Sequence, residues 1–124
     1  MENKKDYRKD TFEMLESARQ WFDRMEHDAE NDHSTHYGAF FVTSVDDIRI
    51  DIETMIDDYK AVEKTLDRVL ARVYQVRQML EADCFYGLRE AKTYWQDIIN
   101  IEVNLTVAKF NFCFDKTYNP AYAE

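Results

Sequence analysis

Eleven apolar residues at alternating spacings of three and four constrain this chain more than any other feature. Val45, Ile48, Ile52, Met55, Tyr59, Val62, Leu66, Val69, Val73, Val76 and Leu80 recur without a gap. They fill every a and d position of five heptads, the pattern of a helix that buries one seam. Taken as continuous, the pattern predicts a central helix of about forty residues from Ser44 to Asp83, a rod of roughly 55–60 Å. Ser44 stands where a cap is needed, with Asp47 three residues on, which resembles a capping box with Asp in place of Glu.

The rest of the chain is read around that helix. Only two Gly and one Pro occur in 124 residues. Sheet proteins need many turns, so few breakers mean long elements. A first helix is expected over about 5–31, with Leu15, Ala18, Phe22, Met25 and Ala29 as its stripe, and with Asp10 or Thr11 able to cap an inner start. A loop over 32–43 contains Gly38, Phe40 and Phe41. Gly87 is the expected turn after the central helix. A last element runs over about 88–115 and a loose tail over 116–124.

The last element admits two readings. As a strand or hairpin over 98–115, Ile99, Ile101, Val103, Leu105 and Val107 alternate with polar residues. As a helix, Ala91, Tyr94, Ile98, Ile101, Leu105, Ala108 and Phe112 form one stripe, and Trp95, Ile99, Val103, Val107, Phe110 and Phe114 a second. The helix is favoured: the alternation slips at Ala108-Lys109 with no turn residues there, and a lone strand lacks a partner. The expected fold is therefore all-α, a single domain built as a three-helix bundle or antiparallel coiled coil, with α+β as the alternative.

Charge is the second informative feature. The formal net charge is −9. Residues 23–63 hold twelve acids against Arg24, Arg49 and Lys60, while the segments on either side are balanced. Such a chain is unsuited to phosphate backbones, which call for Lys and Arg, and suits a basic protein surface. If the first two helices form a hairpin, Asp28, Glu30 and Asp32 lie beside Asp46, Asp47, Asp51, Glu53, Asp57 and Asp58. Tyr37, Phe40 and Phe41 then stand near this acidic pole as aromatic anchors. In size and charge the chain resembles small acidic phage-encoded inhibitors of restriction or CRISPR nucleases, a likeness of composition that rests on no particular residue.

Catalytic and metal signatures are weak. His27, His33 and His36 cluster among acids, and Glu30-x-x-His33 has the spacing used in di-iron bundles, but the second copy and the further glutamates are missing. His33-x-x-His36 with Asp32 leaves a fourth zinc ligand unspecified. The acidic run lacks the EF-hand pattern. No Gly-rich phosphate loop or activated nucleophile stands out, so no enzyme and no cofactor are expected. Cys84 and Cys113 are expected as reduced thiols, and no apolar run reaches membrane-spanning length. The leading expectation is a cytoplasmic, non-enzymatic protein that presents its acids to a basic, nucleic-acid-binding partner, without touching nucleic acid or membrane. The alternatives are a coiled-coil assembly subunit and a metal-binding protein using the three histidines. The second stripe of the last helix suggests a homodimer.

Overall fold

The computed structural model describes residues 6–30, 45–85, 87 and 90–118. The described residues are helical and contain no strand. The helices are Tyr7–Glu30 (α1), Asp46–Asp57 (α2), Val62–Phe85 (α3) and Glu90–Tyr118 (α4), with a short 3-10 turn at Tyr59–Ala61. The loop expected over 32–43 and the tail beyond residue 118 lie outside the described residues, as does Ser44 with its expected cap. Val45 occupies the N-cap place of α2, without a side-chain cap bond.

The forty-residue rod is not there. Its seam is buried throughout, with none of the eleven residues more than 8 % exposed, but the axis turns back on itself at Asp58. Asp58 is extended, with φ −142° and ψ 104°. Its N–H closes the last turn of α2 on the Thr54 carbonyl at 3.0 Å. Its carboxylate accepts the N–H of Lys60 at 3.0 Å and so caps the next turn. A short acidic side chain that can bond its own backbone is well suited to end one helix and start another. Ion pairs prove the reversal. Asp51 meets Arg68 and Asp47 meets Arg72, each at 2.8 Å. In a straight helix the first pair would stand about 25 Å apart.

The other helices close the core. α1 and α3 each pack on both α2 and α4. α1 begins earlier than its expected inner cap: the Asp6 carboxylate accepts the Lys9 N–H at 3.0 Å, while Thr11 Oγ1 donates to the Tyr7 carbonyl within the helix. α4 is a helix through the segment that also fitted a strand, and its first stripe, from Ala91 to Phe112, is buried. It runs antiparallel to α3, through Lys109–Asp67 at 2.9 Å and Arg77–Glu102 at 2.8 Å. It also runs antiparallel to α1, with the Tyr7 and Phe114 rings 5.3 Å apart at one end and the Tyr94 hydroxyl on the Asp28 carbonyl at 3.4 Å at the other. Gly87, with φ +87°, makes the α3–α4 turn as expected.

Tyr59 joins three of these elements. Its ring lies 5.1 Å from Phe12 and 5.6 Å from Phe112, under the Arg8 guanidinium. Its hydroxyl donates to buried Asp115 at 2.8 Å. Tyr59→Phe should lower the unfolding free energy by about 1–2 kcal/mol, because it removes a donor from a buried carboxylate. Urea unfolding followed by far-UV circular dichroism measures this, and an unchanged midpoint would show the hydrogen bond to be idle.

Candidate functional site

The reversal at Asp58 brings arginines onto part of the expected acidic pole. Arg49 stands among three acids, with Glu26 and Glu53 each at 3.2 Å and Asp46 in direct contact. This does bring the end of α1 to the start of α2. Asp47 is taken by Arg72 and Asp51 by Arg68, and the Asp51 side chain is only 10 % exposed. Asp57 and Asp58 sit at the opposite end of α2 from Asp46, and Asp58 is committed to its turn. Arg68 and Arg72, from the second half of the expected rod, are thus folded against acids of its first half. Asp32, Tyr37, Phe40 and Phe41 lie outside the described residues, and Glu30 is described in its backbone alone.

The histidines give no metal centre among the described residues. His27 lies exposed on α1, and His33 and His36 fall outside those residues. No group of three or more His, Cys, Asp or Glu side chains is disposed to hold an ion among the residues described. Cys84 and Cys113 are free thiols.

A different carboxyl pair was missed by the sequence reading. Asp97 is 4 % exposed at the contact of α4 with α1. Its carboxyl is within hydrogen-bonding reach of Asp28, and its buried Oδ2 meets no N–H or O–H donor. Burial, then the Asp28 carboxylate, pushes Asp97 up to about 7 against the weaker opposing pull of Arg24. The Asp97 carboxyl therefore holds its proton to a higher pH than an ordinary aspartate. The signal in the sequence was position: Asp97 follows Tyr94 by three and precedes Ile98, which puts it at the edge of the buried stripe.

The second stripe of α4 is the clearest surface feature. Val103, Val107, Phe110 and Phe114 are 54, 40, 59 and 42 % exposed, and they form one row along the outward side of the helix. The row exists because α4 is gripped from both flanks: Glu102 and Lys109 reach α3, and Asp97 and the Phe114 ring meet α1. Tyr118 continues it, 66 % exposed and stacked on Phe114 at 6.2 Å. At the other end Trp21 and Arg24 of α1 and Trp95, Ile99 and Asn100 of α4 line a shallow groove of about 330 Å³. The indole N–H of Trp95 is held by Glu81 at 3.1 Å, and this bond, with Arg77, keeps the Glu81 carboxyl below its usual range.

Asp97 makes stability depend on pH. The folded chain keeps this proton up to about pH 7, whereas an unfolded aspartate loses it near 4. Between those values the folded state binds the extra proton, so stability falls as pH rises and levels off above the window. Asp97→Asn should remove that slope and gain on the wild type from pH 5 to pH 8 in urea unfolding. Equal slopes for the two proteins would refute the raised Asp97 carboxyl. No family model, curated protein or solved structure matches this chain.

Proposed function

We propose that this chain acts by binding protein rather than by catalysis, and that the outward face of α4 is its contact surface. The observation that carries this reading is the row Val103, Val107, Phe110 and Phe114, left in solvent on a helix whose opposite face is fully packed. Scattered apolar residues are ordinary on a surface, but a contiguous row of them commonly marks a contact. Two exposed phenylalanines on a rigid helix suit the anchor role, since they offer large contact area at small entropic cost.

The acidic run of α2 offers less for this purpose. Binding a basic, nucleic-acid-binding partner in the manner of a phage-type inhibitor calls for free carboxylates, and Asp46, Asp47, Asp51 and Glu53 already face Arg49, Arg68 and Arg72. Charge reversal at Asp51 would also set Lys against Arg68 at a nearly buried site, and so would disturb the fold along with any binding. No helix among the described residues is long and apolar enough to cross a membrane, in keeping with action in an aqueous compartment such as the cytoplasm.

Val103→Glu and Phe110→Glu should each leave helicity and thermal midpoint close to the wild type, because both positions are exposed. Each should abolish the complexes that the wild type forms, read by light scattering on the purified chain and by affinity capture from its source. Those complexes should survive high salt, because screening acts on charges and not on apolar contact. Complexes that tolerate both substitutions but vanish in salt would transfer the function to the acids of α2.

A further inference from the structure

We propose that the occupant of the α4 face is a second copy of this chain, paired antiparallel across a twofold axis at Ala108–Lys109. This rests on the binding reading above and commits it to one partner.

The first argument is the order of residues along the row. The two small side chains, Val103 and Val107, come first, and the two large ones, Phe110 and Phe114, come last. An antiparallel pair centred between residues 108 and 109 sets Val103 against the partner's Phe114 and Val107 against the partner's Phe110. Every contact then joins a small side chain to a large one, which is how packed layers interdigitate. A parallel pair would set Phe on Phe and leave the valines facing a gap.

The ends of the row give a second, independent match. Tyr118 projects at one end, 66 % exposed. The groove between Trp21 and Trp95 opens at the other end, around Ile99 and Asn100. The same register places Tyr118 opposite the partner's Ile99. Each copy thus carries a knob and a hole at equal distances from the axis, about 14 Å of helix on either side. Tyr118 and Asn100 lie on the same side of α4, the α1 side, and a twofold axis of this kind brings like sides together. The phenol meets indole faces there, with Asn100 in reach of its hydroxyl.

Charge allows the approach. Two chains of net charge −9 repel across most of their surface. The outward face of α4 from Ile99 to Tyr118 is bordered by Asn100, Asn104, Thr106, Asn111 and Thr117, all uncharged. Of the nearest acids, Glu102 is engaged by Arg77 at 2.8 Å and Asp115 by Tyr59 at 2.8 Å, while Asp97, in the wall of the groove, is buried and lies within the pull of Arg24. The row and Tyr118 expose roughly 500 Å² of mostly apolar surface per copy, so two copies with their polar borders reach the low end of a specific interface. A reversible dimer of micromolar strength fits that area.

The test combines sedimentation velocity with cysteine pairing. The wild type should shift from monomer to dimer across the micromolar range. Phe110→Glu should weaken the dimer roughly thirty-fold or more, and Tyr118→Ala less but measurably. Native Cys113 should not form a disulfide with the partner's Cys113, because the antiparallel register holds them about 13 Å apart along the helix, beyond disulfide reach. In a background with Cys84→Ser and Cys113→Ser, a mixture of Val103→Cys and Phe114→Cys chains should cross-link on mild oxidation, and neither variant should do so alone. A wild type that stays monomeric overturns the proposal, as does ready Cys113 cross-linking. If the monomeric wild type still captures another protein and Phe110→Glu stops it, the second copy is refuted while the binding face stands. If a dimer forms and neither it nor any capture responds to Phe110→Glu, both fall.

Discussion

The structure depends on one reversal of direction. At Asp58 the backbone leaves the helical region for a single residue, and a carboxylate holds the next turn in place. Everything that distinguishes this molecule from an extended coiled coil follows. The seam from Val45 to Leu80 faces one shared core instead of running along a rod. Acids and arginines of the same stretch come into register, so that Asp51 and Asp47 meet Arg68 and Arg72. Such pairs contribute modestly to stability at a solvated surface. Their larger effect is on register, since opposed charges four residues apart on each helix fit in one alignment only.

The reversal also decides what is left exposed. With the middle stretch folded into two helices, α1 and α3 each have two neighbours, and α4 is held between them. Its first stripe is spent on the core and its flanks on ion pairs and rings, which leaves the outward row in solvent. The surface chemistry of α4 is therefore a remainder, set by how the other helices are arranged. That is why the second stripe stood out in the sequence and yet its neighbours could not be assigned there.

Much of the architecture was legible because burial has a period. The stripes of α1, of the middle segment and of α4 could be read from spacing, and the helix could be preferred over a strand at 98–115 from the slip at Ala108-Lys109. Straightness could not be read, because a periodic stripe reports which side is dry and not whether the axis bends. A pair of acids at Asp57-Asp58, where helix propensity is poor and capping tendency strong, was the local cue. Charge along a sequence has the same blind spot. Counting acids along residues 23–63 ignored arginines that are distant in sequence and adjacent in space. Asp97 is polar by type, although its position belongs to the buried edge.

The pairing of α1 with α4 has a consequence for how the molecule assembles. α2, α3 and α4 follow one another with short connections, and each contacts its successor in the chain. α1 meets α2 through Glu26 and Arg49, and it also reaches the far end of α4: Tyr7 lies against Phe114 and Tyr118. Closing so long a loop carries more entropy loss than folding either neighbouring hairpin. α1 thus closes the bundle at both of its ends, through Glu26 on Arg49 of α2 and through Tyr7 on the last turns of α4. Without α1 in place, α4 would show apolar surface on a second side, so the helix that leaves one row in solvent relies on α1 to cover another.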